Sequence, residues 1–273
     1  MGDHREEIKR LLEKAAWYHT IELPDGQSSN GSYDHRKHLD YYRLPASLEG
    51  QEVLDVGCAD GFFSFEMERR GAKSVLAVDI NKADGTVGSA HSPIHTKDFK
   101  EKYTSFQSQN SEFDGLARSM GLSHAHLILM AKSLLKSEVR YQECSVYKLE
   151  SLNRTFDTVF CGDLIEHLKN PVEAVEQLAK ATKTLCIITI ASLSAAKTAP
   201  LWLSILKFNP LFRDRVVAYW GDRGGTFFHF TPPAFARLAR ASGFSKVETV
   251  SRFDLRNHKT GLDVPHVVYH CWK

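Results

Sequence analysis

The order of apolar and polar positions along the 273-residue chain predicts strands that alternate with helices. Short apolar or β-branched runs at residues 53–56, 74–79, 139–144, 156–161 and 184–190 are typical of buried strands. Helical spacing or a proline at the first turn marks helices at 64–70, 126–135, 171–181 and 232–242. Two further runs, 246–253 and 264–272, are predicted to form a hairpin pair. The pattern predicts an α/β fold with a seven-stranded, mostly parallel sheet and helices on both faces.

Three segments do not follow this alternation. Residues 81–123 are polar and rich in Gly and His, and residues 191–230 carry an apolar stretch followed by a glycine-bearing loop, so both are predicted insertions. Before the core, residues 5–18 have helical spacing and residues 19–36 are rich in Gly, Ser and Asn. The aromatic and imidazole side chains of this region favour a flexible lid over a ligand, with a plain connector as the alternative. We therefore divide the chain into an N-terminal helix and lid (1–48) and a core (49–273).

The turn after the first strand carries the strongest motif. Residues 55–61 read Asp-Val-Gly-Cys-Ala-Asp-Gly, and the second strand ends in Asp79. Strand, glycine-bearing turn, helix, strand and acid follow one another as in a nucleoside-binding unit. Gly57 and Gly61 allow the backbone to approach a ligand, and Asp79 is placed to accept hydrogen bonds from ribose hydroxyls.

Two acids in this turn indicate the class of ligand. A dinucleotide site needs bare amides to hold a pyrophosphate, which Asp55 and Asp60 would repel. The same carboxylates suit a ligand that carries an ammonium and a sulfonium charge. S-adenosylmethionine (SAM) has both groups.

The motif Asp-x-Gly-x-x-x-Gly with Asp79 resembles motif I and the ribose acid of class I SAM-dependent methyltransferases, with Ala59 where a glycine is commonest. Residues 17–23, 33–36, 44–45 and 60–66 resemble the branch that includes the wobble-uridine tRNA 5-methoxyuridine methyltransferases. The resemblance implies a Rossmann-like sheet whose last strand is antiparallel, and SAM as cofactor. It implies that Val146, in the loop after the third strand, contacts the adenine. The expected SAM contacts are Asp55, Gly57, Cys58, Ala59, Asp60, Gly61, Asp79, Ile80, Val146 and Gly162.

The segment after the fourth strand carries a second cluster. Asp163, Glu166 and His167 have i, i+3, i+4 spacing and would share one face if the segment were helical. One interpretation is packing beside the methionine part of SAM. Another makes His167 or Asp163 a general base, and these two are the predicted catalytic residues. In the third, a divalent metal is bound, because Asp-x-x-Glu-His is similar to the Glu-x-x-Glu-His of metal-assisted O-methyltransferases.

Charge and cysteine usage narrow the range of partners. Thirty-five basic and 33 acidic side chains leave a net charge of +2, which gives no electrostatic argument for nucleic acid or an anionic membrane. The five cysteines are scattered without CxxC spacing and are expected to be reduced packing residues. No apolar run has membrane-spanning length, and residues 3–14 are too charged for a signal peptide, so we expect a cytoplasmic protein.

The sequence thus favours a SAM-dependent enzyme that methylates an oxygen of a small or medium-sized metabolite. A wobble-uridine tRNA methyltransferase is the first alternative, and a SAM-binding module without catalysis is the second. The lid and the second insertion would cap the acceptor. The predicted acceptor contacts are Tyr18, His19, Tyr33, His35, Tyr219 and His229.

Overall fold

The computed structural model describes residues 17–23, 26–80, 124–191, 217–223 and 226–273. The predicted insertion at 81–123 lies outside the described residues, as do nearly all of the predicted N-terminal helix and residues 192–216 of the second insertion. The described residues contain nine strands: β1 (Glu52–Val56), β2 (Ser74–Asp79), β3 (Arg140–Glu143), β4 (Phe156–Gly162), β5 (Thr182–Ala191), β6 (Val217–Arg223), β7 (Thr226–Phe230), β8 (Lys246–Arg256) and β9 (Asp263–Trp272).

Seven of these strands form one sheet in the order β3-β2-β1-β4-β5-β9-β8. Strands β1 to β5 are parallel, whereas β9 runs antiparallel to both β5 and β8. This topology confirms the predicted mostly parallel sheet with an antiparallel last strand. Strands β6 and β7 form a separate antiparallel pair within the second predicted insertion.

Five α-helices are described: α1 (Leu39–Tyr42), α2 (Phe62–Arg69), α3 (His124–Leu135), α4 (Pro171–Ala181) and α5 (Pro232–Ala241). Helices α4 and α5 begin at a proline, as the sequence predicts, because the first helical residue needs no amide donor. At α4 the Asn170 side chain also caps the helix by accepting from the Glu173 amide at 3.3 Å. Among the described helices, none is long and apolar enough to cross a bilayer.

Both faces of the sheet are covered, because successive side chains of a strand point to opposite faces. Leu54 of β1 packs into a core with residues of α4 and α5, whereas its neighbour Val53 packs into a second core with residues of α2 and α3. Two-sided burial explains why these strands are almost continuously apolar. The predicted placement of helices on both faces is confirmed.

The described part of the N-terminal segment packs against the core, and its action as a lid stays a prediction. Trp17, Ile21 and Leu23 are buried in the second core. The backbone is fixed as well, since the Thr20 amide donates to the Tyr33 carbonyl at 2.8 Å and the Tyr33 amide donates to the Tyr18 carbonyl at 3.0 Å. The side chains at positions 17, 19, 21 and 23 are all buried, and the polar residues around them make this spacing hard to recognise in the sequence.

Gly61 offers a test of the turn that starts α2. Its φ is +91°, and an added Cβ would lie 2.7 Å from the Ile128 Cγ1 atom. Gly50 has a similar φ of +74° but open space around it. We expect Gly61→Ala to lower the free energy of unfolding by about 1–3 kcal/mol more than Gly50→Ala, because only the first adds a clash to the backbone strain. Urea unfolding of both variants measures this, and equal losses would show that the packing of Ile128 is not tight.

Candidate functional site

A small cleft opens where the carboxyl ends of β1 and β2 meet the loop after β3. Four of the predicted SAM contacts line it: Gly57, Asp79, Ile80 and Val146. In parallel α/β sheets this edge is where ligands bind. Val56, Cys144 and Leu164 complete the lining and were not predicted. Each lies within two residues of a predicted SAM contact in the sequence, and this is the signal that could have identified them.

The turn that borders the cleft is held by backbone hydrogen bonds. The Gly57 and Cys58 amides both donate to the Val78 carbonyl, at 2.9 and 3.2 Å. Gly57 has a φ of +75°, and a Cβ there would lie 3.0 Å from the Leu164 Cδ2 atom. Glycine is therefore needed both for the backbone conformation and for the close approach of Leu164. Ala59 adopts the same left-handed region with a φ of +48°.

Asp79 connects the turn to β2. Its Oδ2 atom accepts from the Ala59 amide at 2.8 Å, and its Oδ1 atom accepts from the Ile80 amide at 2.7 Å. A carboxylate oxygen has more than one acceptor direction, so these bonds are compatible with ribose hydroxyls as further donors. The predicted ribose acid thus also fixes the shape of the turn.

The other two acids of the motif are buried away from the cleft lining. Asp55 accepts from the Ser64 hydroxyl at 2.5 Å, and its burial, against the effect of this hydrogen bond, raises its pKa to about 7. Asp60 accepts from the amides of Tyr18 and His19 at 2.7 and 3.0 Å and from the His19 Nδ1 atom. Asp60, one of the expected SAM contacts, thus binds the N-terminal segment through its carboxylate.

The remaining predicted SAM contacts shape the same region. Cys58 is buried in the second core, and Gly61 lies against Ile128. Gly162 ends β4, where a Cβ would approach the Phe160 ring to 2.9 Å. These three residues are not in the lining of the cleft.

The predicted catalytic Asp163 forms an ion pair that was not foreseen. Its Oδ1 atom accepts from the Thr189 hydroxyl at 3.0 Å, and its Oδ2 atom lies 3.3 Å from the His266 Nε2 atom. The His266 Nδ1 atom lies 2.7 Å from the Val264 carbonyl, which can only accept. This geometry favours the imidazolium form of His266, in which both ring nitrogens carry hydrogen.

The pKa shifts of this pair agree with the geometry. Burial alone would raise the pKa of Asp163, but the His266 charge and the hydrogen bonds outweigh it and the pKa is lowered. Burial would lower the pKa of His266, yet the Asp163 charge and hydrogen bond raise it. An ionised, doubly engaged carboxylate is a weak base, so the structure favours an ion-pair role for Asp163 over the predicted catalytic one.

The cluster does not share one helical face. Asp163 has a φ of +47° and precedes the short 3-10 helix Ile165–His167. The Glu166 Oε1 atom accepts from the Ala191 amide at 2.8 Å, which directs this carboxylate to β5. Among the described residues, no three His, Cys, Asp or Glu side chains are grouped so that they could hold a metal ion. The metal interpretation gains no support from this arrangement.

The predicted acceptor contacts fall into two groups. Those of the N-terminal segment lie together: the rings of Tyr18 and Tyr33 are 5.1 Å apart, and those of His19 and His35 are 4.9 Å apart. His35 is buried, bonded to the Tyr42 hydroxyl at 2.6 Å. In the strand pair β6 and β7, Tyr219 is 69% exposed and packs on Phe228, whereas His229 lies on β7, which packs against the 3-10 helix Ile165–His167.

A comparison with protein families identifies the family of this chain. Residues 33–249 match the family model described as a methyltransferase domain. The chain belongs to this methyltransferase family. The membership confirms the resemblance to class I SAM-dependent methyltransferases and SAM as the expected cofactor.

Several curated proteins are similar to part of this chain. A ubiquinone biosynthesis O-methyltransferase of Nitrosococcus oceani is 29% identical over 138 residues, which are 50% of this chain and 41% of the relative. The protein of the same name from Neisseria meningitidis is 23% identical over 77% of this chain and 71% of its own length. A tRNA U34 carboxymethyltransferase of Campylobacter concisus is 25% identical over 50% of this chain and 34% of its own length. The match to the first of these relatives spans less than half of that protein's length.

Among solved structures, the N-terminal domain of EvdMO1, determined in the presence of SAH and D-fucose, has the same fold. It is 13% identical, with a TM-score of 0.57, over 99% of this chain and 97% of that domain. The residues at the cleft fit SAM, because Asp79 ends β2 and Gly57, which has no side chain, borders the cleft.

The buried pair of Asp163 and His266 predicts a pH window of stability. His266, whose pKa is raised, stabilises the fold below its ordinary pKa of 6.5 and loses this effect as pH rises through the folded value. Asp163, whose pKa is lowered, stabilises above 3.8 and loses the effect as pH falls through the folded value. The contribution of the pair is therefore greatest between pH 3.8 and 6.5.

We expect His266→Gln to lower the free energy of unfolding by about 3–5 kcal/mol in that window, because the Asp163 charge is left buried without a partner. The loss should shrink as pH rises above the window. Urea unfolding across pH measures it, with the exposed His258→Gln as control. A loss that is equal at every pH would contradict the imidazolium assignment.

Proposed function

We propose that this protein transfers the methyl group of SAM to an oxygen of a small or medium-sized acceptor. The observation that carries the proposal is the position of the cleft lined by Gly57, Asp79 and Val146 beside the loop that holds Glu166. SAM and the acceptor would meet at the carboxyl end of β4. When bound, SAM supplies the methyl group. The protein aligns the acceptor with it, holds both and excludes water.

The proposal assigns each wall of the site a task. Asp79 holds the ribose, and Gly57 lets the protein backbone come close to the cofactor. Val146, which is buried at the start of the 3-10 helix Val146–Leu152, packs on the adenine. The acceptor side is formed by Tyr18 and Tyr33. Oxygen as the acceptor atom is supported by the names of the ubiquinone biosynthesis relatives.

RNA as the acceptor is the second candidate, because one relative is named a tRNA U34 carboxymethyltransferase. Near-neutral charge disfavours it, since binding to nucleic acid depends on neutralised phosphates. Salt dependence separates the two candidates. Transfer to RNA should fall steeply with salt, and transfer to a neutral small molecule should not.

Asp79→Asn tests the cofactor site. The change keeps the size of the side chain but removes its charge, and hydrogen bonds to a charged group contribute about 1.5–3 kcal/mol each. We expect SAM to bind at least about tenfold more weakly, as titration calorimetry would show. Glu143→Gln is the matched control, because this exposed acid is the register partner of Asp79 on β3. Unchanged affinity in a folded Asp79→Asn protein would contradict the ribose assignment.

The acceptor class is tested with SAM labelled in its methyl group and three probes: catechol, D-fucose and total tRNA. We expect label in catechol or D-fucose, with a rate that changes little with salt, because no phosphate contacts are lost. Label only in tRNA would replace the proposal by the RNA candidate. SAM binding without transfer to any probe would argue for the non-catalytic module.

A further inference from the structure

Glu166 has a carboxylate oxygen that the fold leaves without a partner. Its side chain is 1% exposed, and the Oε1 atom is satisfied by the Ala191 amide at 2.8 Å. The Oε2 atom is buried and has no hydrogen-bond donor among the described residues. Leaving a buried acceptor unpaired costs on the order of 1–3 kcal/mol, and more when it is charged. A donor brought by a ligand would remove this cost.

The surroundings of Glu166 are those of an acceptor site. The pKa values of the Tyr18 and Tyr33 phenols are raised, first by burial and in part by the negative charges of Asp163 and Glu166. The 3-10 helix Ile165–His167, which carries Glu166, directly follows Leu164, and Leu164 lines the cleft. The same helix packs against β7, which carries the predicted acceptor contact His229.

Asp163 and His266 are less suited to take a proton. Asp163 is engaged through both oxygens by Thr189 and His266. Both ring nitrogens of His266 are engaged as well, one with the Val264 carbonyl and the other with Asp163. Burial and the nearby charge of Asp163 raise the pKa of Glu166, with the charge of His167 acting in the opposite direction. A carboxylate with a raised pKa is a stronger base near neutral pH.

We propose that Glu166 is the catalytic base that removes the proton from the acceptor hydroxyl. The inference rests on the proposed O-methylation. The acceptor oxygen forms the new bond to the methyl carbon, and the electron pair of the broken carbon–sulfur bond stays on sulfur. The acceptor O–H bond breaks, its electrons stay on oxygen, and the proton moves to Oε2. The sulfonium charge and the carboxylate charge disappear together, so the step is balanced.

Glu166→Gln tests this role because it keeps the shape of the side chain but cannot accept the proton. With catechol or D-fucose as acceptor, whichever the wild type methylates, we expect kcat to fall by about 10²–10⁴-fold. The KM for the acceptor and the affinity for SAM should change little. Glu176→Gln, an exposed acid on α4, is the matched control.

The pH profile separates a base from a merely structural carboxylate. In the wild type kcat should rise with pH as Glu166 ionises, and this rise should be absent from the residual activity of Glu166→Gln. Other titratable groups act on this carboxylate from the neighbouring elements, and they are retained in the variant. They are Cys161, Asp163, His167, Tyr18, Tyr33, His266 and Tyr269.

A measurement without turnover completes the test. In infrared difference spectra of the protein without SAM, adding the same acceptor should shift a carboxyl band, and Glu166→Gln should lack that shift. A variant that keeps its kcat, or that loses SAM affinity instead of kcat, would overturn the inference. A wild type that binds SAM but methylates neither catechol nor D-fucose would instead overturn the proposed O-methylation, and this inference with it.

Discussion

The structure of the site depends on the two hydrogen bonds that the Asp79 carboxylate accepts from the Ala59 and Ile80 amides. Ala59 lies in the left-handed region with a φ of +48°, which a non-glycine residue adopts only when other contacts hold it there. Parallel pairing of β1 and β2 brings Asp79 to this turn, and the Val78 carbonyl accepts from two further turn amides. The start of α2 and the border of the cleft both follow from this arrangement.

Several acids lie at the same edge of the sheet, and burial and ion pairing give them different roles. Asp55 is bonded to Ser64, and burial raises its pKa to about 7, so it carries only part of a negative charge near neutrality. Asp60 is paired with His19, and Asp163 is paired with His266. The negative charge expected from the sequence to attract a cationic ligand is therefore partly neutralised inside the protein. Asp79, at the cleft, keeps a position from which it can act on a ligand.

The pairing of Asp60 with the N-terminal segment links the cofactor motif to the acceptor side. One carboxylate accepts from the Tyr18 and His19 amides, so the turn that begins α2 also positions the Tyr18 ring. Burial, and in smaller part the charges of nearby groups that include Glu166, raise the pKa of the Tyr18 phenol. Under the proposed function, a change in this turn would affect both substrates.

The sequence by itself determined the sheet and its motif. The glycine-bearing turn and Asp79 indicated the first βαβ unit, and the short apolar runs indicated a sheet buried on both faces. Both signals can be recognised in the sequence because they depend only on neighbours in the chain. The predicted helix starts at Pro171 and Pro232 rest on equally local signals and are confirmed. Gly57, Asp79, Ile80 and Val146 were found in the cleft for the same reason.

Only the tertiary structure decided which partners the charged groups have. His266 is about 100 residues from Asp163 in the chain and meets it only because β9 inserts next to β5. Asp60 is 41 residues from His19, and no spacing rule connects them. Whether a carboxylate is a cofactor contact, an ion-pair partner or an unpaired base depends on burial and on such distant contacts. These are consequences of packing, which the order of residues does not display.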